Sequence, residues 1–340
     1  MKRVWILDEG SQGHVVQSRG LVRELAKFVP IEVTEVPIQC SVPRRFRRSL
    51  VKRLLRMQRK MWMFRLLHPR MELPDETPEL IISSGPHSFA ALAFLSKFYQ
   101  CPSVFVQGTI RVPQGSVTCT LRPDSDGSRA DIIRIPLLFN EITPEVIANG
   151  KIAYETRTGR EKSAPLKALF IGESSGKIEF SASDWDHLID YINQSWRRDG
   201  IQWLVSTSYR TRLELEDKLR ENIEPAALFD AVWYSREPRK ITREFLGMAD
   251  QVLVTMDSLT MMTEAIASGR PVQVVSPADH QFDPADSHHR YIQGLIDSGL
   301  VHLLIPGKPE SESVAVSEIR DIDYAPCIRA MLKQISWSHE

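Results

Sequence analysis

The stretch from Asp250 to Val275 (DQVLVTMDSLTMMTEAIASGRPVQVV) constrains the fold most. Val252, Leu253 and Val254 form a short apolar run without polar alternation, the pattern of a strand buried on both faces. Asp257 and Ser258 follow, both residues that favour a helix N-cap. Leu259 to Ser268 has helical spacing, Gly269 is a natural C-terminal stop, and Pro271 opens a second apolar run. Strand, polar tip, helix, glycine, strand is one βαβ unit. In such units ligands gather at the carboxyl ends of strands, where helix N-termini present free N–H groups. Thr255, Asp257 and Ser258 form the tip here, and Glu264 lies two turns into the helix.

The same alternation runs along the chain. Arg3–Leu7 reads as a first strand, followed by the loop Asp8–His14 and a helix over Val15–Phe28. Gly10 and Gly13 let loop backbone approach a ligand. His14 stands at the helix start, either as a polar capping residue or as a functional one. Ile31–Val36, Glu79–Ser83 and Ser103–Gln107 read as further strands, and Ser84-Gly85-Pro86-His87-Ser88 is a second strand-end loop. The polar Asn149–Pro165, with two glycines, reads as a linker. This divides the chain into domains at 1–155 and 156–340, the last helix (322–336) packing back on the first. The second domain opens with Leu166–Ile171, which runs into Gly172-Glu173-Ser174-Ser175-Gly176-Lys177. Small residues and hydroxyls there suit a phosphate, although the spacing is not that of a P-loop. Gln202–Ser206 is a strand, with Ser206 and Arg210 at its carboxyl end. Arg210 either meets a phosphate or is a surface arginine. The expected fold is therefore α/β, two doubly wound Rossmann-like domains facing a cleft, with a nucleotide on the second domain's strand ends. Glu264 is either a surface carboxylate or an acceptor for ribose hydroxyls.

The chain has 340 residues and zero formal net charge. The charge is uneven: residues 1–150 carry 21 Lys+Arg against 14 Asp+Glu, and the remainder 22 against 29. Much of the basic excess lies in Arg44–Arg70, which has eleven Lys/Arg and no acid. Leu50, Leu54, Met57, Met61 and Phe64 recur there at helical spacing. One reading is a helix packed on the domain with a solvated basic face. The other is an amphipathic helix on an anionic bilayer, engaged through Arg47, Arg48, Lys52, Arg53, Arg56 and Trp62, each basic group adding ~1 kcal/mol. No nucleic-acid motif is present. The four cysteines have neither disulfide nor metal-ligand spacing. Neither a signal peptide nor a run of ~20 apolar residues is found, so the expectation is a cytoplasmic protein, peripheral on the inner face of the membrane.

LDEGSQGHVVQSRGL near the start resembles the D-G-x-x-G-H-x-x-Q-x-x-G-L opening of the elongate-mitochondria family, which comprises plant mitochondrial fission factors and bacterial proteins grouped with glycosyltransferases. VLVTMDSLTMMTEAIASGRPV is similar to its V-T-x-D-S-x-S-M-x-x-E-A-x-x-x-G-x-P-V segment, and LVSTSYRT to its T-S-R-R-T strand end. Two departures stand out: Glu173 replaces the second glycine of a Gly-Gly pair, and Tyr209 replaces the first arginine of the Arg-Arg pair. The family in turn resembles glycosyltransferases of the B fold. The resemblance implies that His14 is a general base for an acceptor hydroxyl. It implies a diphosphate loop at Gly172, Ser174, Ser175 and Gly176, flanking contacts from Ser206 and Arg210, and a donor site at Asp257, Ser258 and Glu264. The N-terminal loop residues are Gly10, Gly13, Ser84 and Gly85.

The function expected on this basis is a metal-independent inverting glycosyltransferase. It would use a nucleotide-sugar donor as substrate, without a cofactor, and a membrane-proximal glycan or glycolipid acceptor such as lipopolysaccharide. Chemically, a histidine near neutral pKa can take the acceptor proton, and helix N-termini with Ser, Thr and Arg donors can hold the leaving diphosphate. Two alternatives remain: a non-catalytic membrane-recruited scaffold, and a nucleotide-sugar epimerase on the same fold.

Overall fold

The computed structural model describes residues 1–38, 61, 64–65, 68, 71–106, 112–124, 129–173, 178–312 and 322–337. The chain divides into two compact units, residues 1–141 with 322–340, and residues 142–321.

The first unit holds β1 (Lys2–Asp8), α1 (Gln12–Ala26), β2 (Ile31–Pro37), β3 (Leu80–Ser84), α2 (Phe89–Tyr99), β4 (Ser103–Val106), β5 (Cys119–Arg122) and β6 (Ile132–Arg134). Its six strands are all parallel, in the order β2-β1-β3-β4-β5-β6. The central strands are fully buried runs (Leu80–Ile82, Val104–Val106), as a sheet covered on both faces requires. Trp5, Leu7, Ile81, Phe89, Leu92 and Phe105 share one core cluster on this sheet. Helix Ala325–Gln334 returns to the unit, burying Cys327, Ile328, Met331 and Leu332. Tyr324 stacks on Phe139 with ring centroids 4.8 Å apart.

The second unit begins with α3 (Pro144–Thr158). It continues with β7 (Leu166–Phe170), α4 (Ala182–Asp199), β8 (Gln202–Ser206), α5 (Leu213–Asn222), β9 (Leu228–Val232), α6 (Thr242–Met248), β10 (Gln251–Thr255), α7 (Leu259–Ala267), β11 (Val272–Val275), α8 (Ser287–Asp297), β12 (His302–Leu304) and the short α9 (Pro309–Glu312). This sheet is also all parallel, in the order β12-β11-β10-β7-β8-β9. Leu169, Trp185, Leu188, Trp203, Val205 and Leu253 belong to its core.

The segment read as a linker is largely helix α3. Thr143 caps it, its Oγ1 accepting from the Val146 N–H at 3.2 Å, and Gly159 closes it in the left-handed conformation at φ 64°. The unit boundary accordingly falls at 141/142, not 155/156. Gly150, within that segment, is a packing contact. A Cβ there would lie 2.1 Å from the Arg243 carbonyl oxygen, and one on Gly247 would lie 2.4 Å from the Lys151 nitrogen. α3 and α6 thus meet backbone to backbone. No helix among the described residues is long and apolar enough to cross a membrane. Arg47, Arg48, Lys52, Arg53, Arg56 and Trp62 lie outside the described residues.

Candidate active site

Each sheet places its first strand between strands whose order reverses, β1 between β2 and β3, and β7 between β10 and β8. At such a switch point the loops leaving adjacent strands part and open a crevice at their carboxyl ends. The candidate residues collect at these two places.

In the first unit the loop after β1 carries Glu9, and α1 begins at Gln12. Gly13 and His14 therefore sit in the first helical turn, not in the loop. The side chain of Glu9 is 2% exposed and that of His14 32%. His14 Nδ1 lies 2.6 Å from Glu9 Oε1. The other carboxylate oxygen, Oε2, accepts the backbone N–H groups of His87 (2.8 Å) and Ser88 (2.7 Å) at the start of α2. Burial alone would raise the Glu9 pKa. The His14 hydrogen bond and charge, the Ser88 N–H and nearby His87 outweigh it and hold the carboxyl below its usual range. An ionised Glu9 can only accept, so the Nδ1 proton points at it and the lone pair of the neutral ring lies on Nε2. Gly85 makes room for this pair. It has φ 94°, and a Cβ there would come within 2.3 Å of both Glu9 Oε1 and His14 Nδ1. Ser84 donates its hydroxyl to the His14 carbonyl and lies 3.1 Å from the Ser18 hydroxyl, fixing the first turn of α1 against β3. Gly10 takes φ 84° and donates its N–H to Asp8 at 2.8 Å. The sequence pointed to His14 through its motif and to Ser84 and Gly85 as a strand-end loop, but not to Glu9. The signal was present, a carboxylate five residues before a histidine at one strand end.

In the second unit the loop after β7, the β8 end and the β10 tip meet. Arg210 Nη2 donates to Asp257 Oδ2 at 2.7 Å, the Asp257 side chain being 0% exposed. Thr255 Oγ1 donates to Asp257 Oδ1 (2.6 Å) and accepts the Gly172 N–H (2.8 Å). A Cβ on Gly172 would lie 2.1 Å from Asp257 Oδ2 and 2.5 Å from Arg210 Nη2, so only glycine fits. Burial pushes the Asp257 carboxyl up, against the Thr255 hydrogen bond and the Arg210 charge. Arg210 Nε is buried without a hydrogen-bond partner among the described residues.

Ser208 and Thr211 tie the 208–211 turn to β7. Both hydroxyls reach the Gly172 carbonyl at 3.4 Å, and that of Thr211 also bonds the Ile171 carbonyl at 3.2 Å. Ser206, expected to contact phosphate, is buried and donates to the Thr207 carbonyl at 3.3 Å. Ser258 occupies the N-cap of α7 but makes no side-chain capping bond. Glu264 is partly buried on α7. Ser174, Ser175 and Gly176 lie outside the described residues.

Two further residues were not read as site residues from the sequence. Glu173 has φ 99°, a conformation that costs a side-chain-bearing residue of order 1–3 kcal/mol. Its buried carboxylate accepts the Arg212 N–H at 2.6 Å and a second bond from Arg212 Nε. His288, in the first turn of α8, places Nε2 3.3 Å from the Met256 carbonyl. Burial, with His289 and Arg210 close by, keeps it below the usual histidine range despite the Met256 carbonyl and Asp286. No group of three or more potential metal ligands occurs among the described residues.

Among solved structures, the chain is similar to UDP-GlcNAc 2-epimerase from Methanocaldococcus jannaschii, at 12% identity and TM-score 0.58, covering 99% of this chain and 100% of that one. It is similar to UDP-GlcNAc 2-epimerase from Neisseria meningitidis bound to UDP-GlcNAc, at 11% identity and TM-score 0.57, with coverage of 99% and 100%. ADP-heptose lipopolysaccharide heptosyltransferase II from E. coli aligns at 13% identity and TM-score 0.49, over 99% of both chains. No curated protein matches the sequence. The fold is thus α/β with two Rossmann-like units, of the glycosyltransferase B kind. The profile of the mitochondrial fission ELM1 family matches residues 12–327, and the chain belongs to that family.

Proposed function

We propose that the chain is a metal-independent inverting glycosyltransferase, moving a sugar from a nucleotide-sugar donor to a membrane-proximal glycan or glycolipid acceptor. The observation that carries the reading is the Glu9–His14 pair. A buried carboxylate, pinned by two backbone N–H groups, holds a partly exposed histidine with Nδ1 engaged and Nε2 available. This is the arrangement a general base needs: an imidazole fixed in one tautomer by an anionic partner. His14 Nε2 takes the proton of the acceptor hydroxyl as its oxygen attacks the anomeric carbon, and the nucleoside diphosphate leaves. Arg210, the Gly172 loop and the start of α7 are assigned to that leaving group, whose growing charge they would offset. The N. meningitidis neighbour, described as bound to UDP-GlcNAc, supports a nucleotide sugar as donor.

A second reading, a nucleotide-sugar epimerase, is favoured by the two solved structures with the higher TM-scores given above. Incubation with a panel of nucleotide sugars, with and without acceptor glycans, separates the two. Release of nucleoside diphosphate that depends on acceptor supports transfer; isomerised donor without acceptor supports epimerisation. The base assignment predicts that His14→Ala lowers transfer by about 10²–10⁴-fold with donor affinity retained. Unchanged transfer in that variant would remove His14 from the mechanism.

A further inference from the structure

The donor reading leaves one exposed feature of the second unit without a role. Tyr209, in the turn after β8, is 76% exposed, and Tyr234, just beyond β9, is 39% exposed. They are neighbours because β8 and β9 pair in parallel, with Ser206 opposite Val232. Their ring centroids are 6.5 Å apart at an interplanar angle of 66°. Two large rings at adjacent strand ends, both open to solvent, forgo burial that aromatic residues normally find. The turn beneath them is held firmly. The Tyr234 N–H donates to Thr207 Oγ1 at 2.8 Å, the Ser208 N–H to Thr211 Oγ1 at 3.0 Å, and the Arg210 N–H to Ser208 Oγ at 3.2 Å. The Arg210 guanidinium lies 5.9 Å from the Tyr209 ring centre and bonds Asp257 on its other side.

We propose that Tyr209 and Tyr234 form the stacking platform for the heterocyclic base of a nucleotide whose phosphates lie toward Arg210. The inference rests on the nucleotide-donor reading and names the residues that would hold its base. The edge-to-face pair is a notch. A planar ring laid flat on one tyrosine meets the edge of the other, the geometry aromatic groups prefer. Stacking of this kind tolerates different bases, because every base has a π-face. The adjoining cation and its buried Nε, unpartnered among the described residues, favour a ligand that joins a flat ring to an anion over a neutral sugar.

Titration calorimetry on the full chain with UDP, ADP, inorganic pyrophosphate and N-acetylglucosamine 1-phosphate tests this. The expected result is that Tyr209→Ala weakens UDP and ADP by about tenfold or more, while pyrophosphate binds as to wild type. Tyr209→Phe, which keeps the ring, should stay within about twofold of wild type for UDP and ADP. The exposure of Tyr209 makes both variants compatible with the fold, which circular dichroism checks. Unchanged UDP and ADP affinity in Tyr209→Ala overturns the platform while leaving the donor reading intact. Equal loss for pyrophosphate also overturns it, since the effect would then lie in the placement of Arg210. A loss confined to the sugar phosphate reassigns the notch to a sugar ring. Failure of wild type to bind either nucleotide removes the donor reading and this inference together.

Discussion

Gly85 and Gly172 do the same work in the two units. Each lets backbone pass where a single methyl would strike a hydrogen-bonded pair, Glu9–His14 in one case and Arg210–Asp257 in the other. Gly85→Ala combines that clash with a side chain at positive φ, and should cost about 1–3 kcal/mol in urea unfolding as well as displacing His14. Glu9 contributes a pH term of definite sign. Its folded pKa lies below the ordinary 4.5, so its stabilisation is complete above that value and is lost as pH falls through the lowered one. Glu9→Gln should therefore flatten the stability profile below about pH 4.5 and, with Nδ1 no longer facing an anion, slow transfer without weakening donor binding. A Glu9→Gln protein with the wild-type acid limb would show that the carboxylate is not held as described. Residue pairing was the least legible property in the sequence. A G-x-x-G-H motif gives the position of His14, but the partner is chosen by the α2 N-terminus, which the chain reaches only 78 residues after Glu9.

At the scale of elements, the buried strands were the most legible. Runs such as Trp203–Val205 and Val252–Val254 have both faces covered, so every position is apolar and the pattern survives any register. Helix α3 was illegible for the opposite reason. Only Ile147, Gly150 and Tyr154 are buried on it, a narrow face with glycine at its centre, and its contact with α6 runs through glycine backbone. Gly150→Ala would force the two backbones apart and is expected to cost about 1–3 kcal/mol, read as a lowered thermal midpoint. An unchanged midpoint would show that the two helices tolerate separation. The start of α7 shows a subtler limit. Residue type placed Ser258 correctly at the N-cap, but its hydroxyl does not cap, and Asp257 turns instead to Arg210 and Thr255.

In the whole molecule, two parallel sheets were foreseeable from the alternation of strands and helices, and their strand orders bring the polar loops to the two switch points. The first unit is completed by residues 322–340, and the division between units was less legible because the polar segment read as a linker is largely helix α3. Ile328, fully buried on that returning helix, tests the closure. Ile328→Ala is expected to destabilise by about 2–5 kcal/mol, measured by chemical denaturation. A change within experimental error would mean that the helix is not part of the first unit's core.

The account as a whole depends on the second unit holding a nucleotide's phosphates at its strand ends, and titration of the full chain and of Arg210→Ala with UDP tests this most directly. One UDP per chain should bind to wild type, and at least tenfold more weakly to Arg210→Ala. Wild-type affinity in Arg210→Ala, or no binding of UDP or any other nucleoside diphosphate to wild type, would contradict it.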